Sequence, residues 1–451
     1  MLDMIMSTFL LLFQFEHWRR GIKSSISITK RNRTLLQKNE MRTLNLSSAL
    51  VFFAIFAVFL CDKFCLAVRK SSATNAFDSS IVFPVKGNVY PLGHFTVSVT
   101  IGSPPKVFEL DIDTGSDLTW VQCDAPCTGC TLPRHRLYKP HNNVVRCGEP
   151  LCSALFSADK SPCKNPNDQC DYEVEYADHG SSIGVLVKDP VPLRLTNGTI
   201  LALNLAFGCG YDQHNGGSQL PPSTAGVLGL GNSKATMATQ LSTLSNVLNV
   251  IGHCFSGQGG GFLFFGGDLV PSSGMLWTPI LSNPGGKYSA GPAEVYFGGK
   301  PVGIRGLILT FDSGSSYTYF SNQVYGAVLN LLRNGLKGQP LKEAPEDKTL
   351  PICWKGSKAF KSVADVRNFF KPLALSFTNS NNVQFQIPPE AYLIISNKGN
   401  VCLGILNGSQ VGLGNVNLIG DISMLDKMVV YDNKRQQIGW APANCSRPTK
   451  K

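Results

Sequence analysis

Two aspartates stand in closely matched surroundings 199 residues apart. Residues 108–121 read FELDIDTGSDLTWV and residues 307–320 read LILTFDSGSSYTYF. Each begins as an apolar strand, breaks at Asp-[Thr/Ser]-Gly-Ser, and resumes with alternating apolar residues. One Asp-Thr-Gly is an ordinary turn sequence; two in the same context are a repeat. The chemistry on offer is that of paired carboxylates. Brought close, Asp113 and Asp312 cannot both ionise easily, so they share a proton. One can then take a proton from a water between them while the other protonates the oxygen of an attacked carbonyl. Gly115 and Gly314 allow sharp turns and a close approach to the partner loop. Ser116 and Ser315 can hydrogen-bond the adjacent carboxylate and hold it in plane.

For the carboxylates to meet, the chain must fold as two similar lobes about a pseudo-twofold axis, and the sequence supports that. A second element follows each aspartate in the same order: Ala225-Gly-Val-Leu-Gly-Leu-Gly231 after the first, Val416-Asn-Leu-Ile-Gly-Asp421 after the second. Asp113 lies 116 residues before Gly229, and Asp312 lies 108 before Gly420. Short strand patterns separated by turn residues fill most of the remainder, including 94–102, 201–208, 261–267, 306–311 and 427–432. Helical pattern is sparse: 235–249, 321–336 and 363–368. The expected class is all-β, bilobal, with few short helices.

The 451 residues suit two lobes of ordinary domain size. The net charge of +11 raises nucleic acid or a membrane surface as a partner. Residues 1–67 hold nine Lys/Arg against four Asp/Glu, however, and no basic run follows them. Within that segment Met41-Arg42 precedes the apolar run Ala49–Leu60 and the small-residue exit Cys65-Leu66-Ala67, the pattern of a secretory signal. Twelve apolar residues are short for a membrane span, which needs ~20. Residues 1–40 read as an upstream extension before a working start at Met41, or as a transit-like segment. Twelve of the 14 cysteines lie outside the signal region, an even number that favours disulfides in an exported chain. Cys123, Cys127 and Cys130 have zinc-like spacing, but no His/Cys pair nearby completes a site. Asn197-Gly-Thr, Asn407-Gly-Ser and Asn444-Cys-Ser are glycosylation sequons.

With these residues in view, the chain from about Tyr90 to Cys445 resembles the pepsin-like aspartic proteases. It is similar to their plant nucellin-like and nepenthesin-like branch in QCDAPCTGC (122–130), FGCG (207–210), AGVLGLG and LIGD. The resemblance implies a two-lobed aspartic protease fold and a catalytic dyad on Asp113 and Asp312. It places the cross-bracing hydroxyls on Thr114 and Ser313, the flap tyrosine on Tyr176 and the tryptophan supporting it on Trp120. Gly229 and Gly420 become the glycines against which the active-site loops pack. It further implies the disulfides Cys123–Cys127, Cys130–Cys209, Cys147–Cys170, Cys152–Cys163, Cys254–Cys445 and Cys353–Cys402. An extended polypeptide is the implied substrate, with apolar side chains beside the scissile bond. No metal or cofactor, no nucleic acid and a monomeric state go with it. The flap departs from the branch: Tyr-Ala-Asp-His-Gly-Ser stands where many relatives have Tyr-Gly-Asp-Gly-Ser.

These observations divide the chain into an extension and signal peptide (1–67), a short prosegment or linker (68–89), and lobes at 90–275 and 276–451. The expected activity is acidic endopeptidase in the secretory pathway, outside the cell or in a vacuole. Two rivals stand beside it. Some plant relatives of the same fold inhibit cell-wall glycosidases after losing a catalytic aspartate, although both aspartates are present here. Paired carboxylates also serve glycosidases, but that does not explain the repeat.

Overall fold

The computed structural model describes residues 79–156, 163–214, 216, 224–282 and 286–448. The expected signal segment and the start of the 68–89 segment lie outside the described residues.

Period-two alternation builds the strands. In His94–Ile101, Phe95, Val97, Val99 and Ile101 are fully buried on one face. The next strand, Lys106–Asp113, buries Phe108, Leu110 and Ile112. Its other face therefore carries Glu109, Asp111 and Asp113. The two strands pair antiparallel, Thr96 opposite Asp111.

Both aspartate turns grow from one strand arrangement used twice. Lys106–Asp113 runs parallel to Gly226–Gly229, with Asp113 opposite Gly229. Trp120–Gln122 returns antiparallel to that strand and parallel to Ile200–His214. In the second half, Leu307–Phe311 runs parallel to Asn417–Ile419. Thr318–Phe320 returns antiparallel to it and parallel to Ile405–Asn407. Parallel, antiparallel, parallel: the sequence repeat is a repeat of topology, and the bilobal all-β class is the observed one.

The sheets do not divide cleanly between the halves. A 13-stranded sheet runs from Leu276–Pro279 at one edge to Asp171–Glu175 at the other. Lys427–Asp432 and Gln437–Pro442, late in the chain, are built into it beside Val250–Phe255. An eight-stranded sheet carries the second aspartate, and a four-stranded one is built from segments between 342 and 403. Ile81–Asn88 pairs with Gly261–Phe265 and with the strand His94–Ile101. Within the expected 68–89 prosegment or linker, Ile81, Phe83 and Val85 are buried, and the strand belongs to the sheet.

Helices are few and short, as expected. Met237–Leu244 starts where Thr236 accepts a hydrogen bond from the Thr239 N–H, and it ends short of the expected 249 because Ser245 is extended, ψ −179°. Asn322–Gly335 buries Val324, Val328, Leu329 and Leu332, the stripe of a surface helix. The helix expected at 363–368 is instead two single 3₁₀ turns, Val363–Asp365 and Arg367–Phe369, separated by Val366 at φ −122°.

Four of the implied disulfides are corrected. Cys123 pairs with Cys209, Cys127 with Cys130, Cys147 with Cys163 and Cys152 with Cys170; Cys254–Cys445 and Cys353–Cys402 are the other two bonds. The physical reason for the first is the parallel pairing of Trp120–Gln122 with 208–210. Val121 stands opposite Cys209, and the Cys123 N–H donates to the Gly210 carbonyl, so the Cα atoms of Cys123 and Cys209 are 5.1 Å apart. Cys127 and Cys130 are left to close their own loop. Asn407 is also corrected as a glycosylation site. It is 8 % exposed, and its amide donates to Asn322 and accepts from the Ser409 N–H. Asn197, by contrast, lies exposed in a turn.

Candidate active site

Each aspartate is held by its own turn. The Gly115 N–H donates to Asp113 Oδ1 at 2.7 Å, and the Ser116 hydroxyl donates to Oδ2. In the second loop the Gly314 N–H donates to Asp312 Oδ1 at 2.9 Å and the Ser315 hydroxyl to Oδ2 at 3.0 Å. Both carboxyls are thereby fixed at both oxygens. The glycines also set the spacing between loops. A Cβ on Gly115 would stand 2.5 Å from Asp312 Oδ1, and one on Gly314 would stand 2.5 Å from Asp113 Oδ1. Only glycine admits that approach.

The loops are tied to each other by a symmetric exchange. The Thr114 N–H donates to Ser313 Oγ at 3.1 Å, and the Ser313 N–H donates to Thr114 Oγ1 at 2.9 Å. Each hydroxyl then donates onward, Thr114 to the Phe311 carbonyl and Ser313 to the Ile112 carbonyl. Behind them Gly229 and Gly420 pack without side chains: a Cβ would stand 2.6 Å from Leu118 and 2.0 Å from the Tyr317 carbonyl oxygen respectively.

A cavity of about 670 Å³ opens over the pair. Leu92, His94 and Trp120 line it from the first half, with Tyr319, Val411 and Leu413 from the second. The hairpin joining Asp171–Glu175 to Ser181–Arg194 overhangs it. Tyr176 sits at its base, and its hydroxyl accepts a hydrogen bond from Trp120 Nε1 at 2.7 Å. The departure in this hairpin has a structural outcome. His179 adopts the left-handed conformation, φ 66°, and is exposed, while the turn closes through the His179 N–H to the Tyr176 carbonyl. Its ring approaches Gly412 across the cleft, 3.9 Å from where that residue's Cβ would be.

The site concentrates carboxyls. Burial first, and then the Asp312 charge, push Asp113 up to about 7. Burial pushes Asp111 up to about 8, with the Asp113 charge adding to it. Asp421, fully buried at the start of a short helix, is pushed well above the carboxylate range by burial and then by Asp312, Asp113 and Asp111. Asp117, beside the first loop, is raised to about 6 by burial, opposed by Ser233 and Lys287. Such raised values mark a place where protons are retained into the neutral range. Sequence reasoning does not single out Asp111 or Gln213, and the structure adds both to the site. Asp111 has a readable signal, since two residues' separation on a strand puts it on the face of Asp113. Gln213 has none; only the fold brings it to the cavity wall.

Comparison with known proteins agrees with this architecture. Two family models match, the xylanase inhibitor N-terminal domain at residues 95–267 and the xylanase inhibitor C-terminal domain at 294–442. The chain is 43 % identical over 380 residues to an aspartic proteinase of Oryza sativa subsp. japonica, covering 82 % of this chain and 92 % of the relative. It is 28 % identical over 394 residues to aspartic proteinase 39 of Arabidopsis thaliana, covering 82 % and 79 %. Among solved structures, basic 7S globulin from soybean superposes with a TM-score of 0.63 at 17 % identity, covering 82 % of this chain and 98 % of that one. With matched topology, two aspartate loops braced across the pseudo-twofold and these relatives, the chain belongs to the plant family of pepsin-like aspartic proteases.

Proposed function

We propose that the chain is an aspartic endopeptidase that hydrolyses peptide bonds in acid through Asp113 and Asp312. The observation that carries this reading is the reciprocal Thr114–Ser313 exchange, which holds two carboxyls side by side, each bonded at both oxygens. In acid the pair keeps one proton. The ionised member takes a proton from a water between them as the water oxygen attacks the scissile carbonyl carbon. The protonated member gives its proton to the carbonyl oxygen, which yields a tetrahedral diol. As the C–N bond breaks, the first carboxyl delivers its proton to the nitrogen. The second recovers one from a diol hydroxyl, and the pair returns to its starting charge. Tyr176 and its hairpin close over the bound polypeptide and limit water. Residues 90–275 and 276–451 supply one aspartate each, with Ile81–Asn88 added to the shared sheet. The signal-like segment and the aspartic proteinase relatives suit a chain delivered outside the cell or to a vacuole.

The sign of the pH dependence follows from Asp113. A carboxyl raised to about 7 keeps its proton through the acidic range and loses it above, so turnover falls as pH climbs past about 7. The test is cleavage of an unfolded protein from about pH 3 to 8 by the oxidised chain. Asp113→Asn and Asp312→Asn should each reduce the rate at least about a thousandfold, since each removes a group made for the transition state. Both variants should retain the six disulfides. Full activity in either variant rejects the dyad.

A second reading is prompted by the xylanase-inhibitor description of both family models: a binding protein that blocks a glycosidase. Tight inhibition of a xylanase by the Asp113→Asn chain, with no proteolysis by the parent at any pH, would favour it.

A further inference from the structure

Trp120 and Tyr319 are the seventh residues after Asp113 and Asp312, and they hold matching places in the repeated topology. Trp120 stands opposite Val227 and Gly208, and Tyr319 opposite Leu418 and Leu406, so each has one antiparallel and one parallel neighbour. Both line the cavity. Their polar atoms have different fates. The Trp120 indole N–H is committed to Tyr176 of the hairpin. The Tyr319 hydroxyl bonds none of the described residues and is not sealed from the cavity. The other hydroxyls that line the cavity from the second half are already used: Ser313 donates to the Ile112 carbonyl, Ser315 to Asp312 and Ser316 to the Gly93 carbonyl. The tyrosine ring is also held in place. Thr318 and Phe320 are buried on the opposite face of its strand. The Leu413 N–H donates to the Gly408 carbonyl and folds 408–413 back onto that strand, so that a Cβ on Gly408 would stand 3.3 Å from Leu413 and 3.5 Å from Tyr319. Burial, and then the Asp312 charge, push the Tyr319 hydroxyl up, so it keeps its proton and can donate. Every polypeptide brings an acceptor to such a donor. An extended segment entering the cleft carries main-chain carbonyls that have left water, and each needs a partner there.

We propose that Tyr319 is a substrate-binding residue whose hydroxyl donates a hydrogen bond to one main-chain carbonyl of the polypeptide, in the segment that crosses the second half of the cleft. One position in the repeat then serves two ends: Trp120 holds the hairpin, and Tyr319 holds the polypeptide. A bond to the main chain fixes the register of the substrate without selecting its sequence. Val411, 46 % exposed, and Leu413 line the cavity with Tyr319 and are left to meet the side chains. This deepens the endopeptidase reading and rests on it.

The test uses quenched peptides of several sequences, and reduced-bond versions that bind without being cut. Tyr319→Phe removes one oxygen and keeps the ring. It should raise KM, and the Kd of the reduced-bond peptides, by roughly three- to tenfold for every sequence, with kcat changed less. Esters put in place of the remaining amides of a reduced-bond peptide, one at a time, weaken each carbonyl as an acceptor. At one position the resulting loss of affinity should be clear in the parent and several-fold smaller in Tyr319→Phe. Equal ester losses in parent and variant at every position overturn the proposal, as does a Tyr319→Phe effect confined to peptides with one particular side chain. Where nothing is cut, a position-specific ester loss that needs the Tyr319 oxygen still supports the contact and rejects the endopeptidase reading alone. No binding of any peptide rejects both.

Discussion

Thr114 and Ser313 each use a backbone N–H and a hydroxyl on the opposite loop, so the two aspartates are positioned by four reciprocal bonds in a buried setting. Thr114→Val keeps the shape but leaves the Ser313 N–H without its acceptor. A buried donor so orphaned costs about 1–3 kcal/mol. We expect urea unfolding to shift by that amount and, on the proposed endopeptidase reading in which the loops carry the reacting groups, kcat to fall more than KM rises. Thr114→Ser, which keeps the hydroxyl, should restore most of both. The same symmetry makes the pair legible in the sequence. A hydroxyl residue, a glycine and a serine after each aspartate are a local pattern, repeated, and each has a local job. Asp111 needs one more step, the alternation of the strand, and Gln213 needs the fold itself.

One contact ties the hairpin over the cleft to the strand that follows the Asp113 loop, the Trp120 indole N–H to the Tyr176 hydroxyl. Trp120 is 1 % exposed in the strand that follows the Asp113 loop, so the hairpin is anchored to the structure that also shapes the pair. Trp120→Phe preserves the packing and removes the donor. The expected result is a several-fold rise in KM with a smaller loss in kcat, from loss of a hydrogen bond of about 1 kcal/mol; steady-state kinetics on a long peptide would measure it. At this scale legibility is uneven for a physical reason. Strands with alternating burial, such as Phe95 to Ile101, are written in the sequence. The pairing of cysteines is not, because it depends on which strands lie adjacent after folding. Cys123 meets Cys209 only once Trp120–Gln122 has paired in parallel with a strand more than 80 residues later. Asn407 fails as a sequon for the same reason: three residues cannot report that the strand Ile405–Asn407 is buried.

Across the whole molecule the buried titratable groups set how stability responds to pH. Asp111 and Asp113 have folded values raised to about 8 and about 7. The stability they contribute is therefore complete below their unfolded value near 3.8 and is lost progressively as pH rises to 7 and 8. His253 is lowered to about 3 by burial, so its contribution is complete above about 6.5 and is lost as pH falls toward 3. Asp117 and Asp421 are raised by burial in the same sense, so four carboxyls against one imidazole leave the balance with acid: unfolding midpoints should rise from pH 8 to about 4 and then turn down. Thermal melts across that range would check it, and a maximum at pH 8 would contradict it. The shared sheet has a consequence for synthesis on the ribosome. Val250–Phe255 gains one of its two neighbours only when Lys427–Asp432 has been made, and Cys254 gains its partner only with Cys445. Until then the first half leaves the ribosome with an open sheet edge and a free thiol. That form persists for the time it takes to translate 191 further residues, and it is the stage at which the chain is open to edge-to-edge pairing and wrong disulfides.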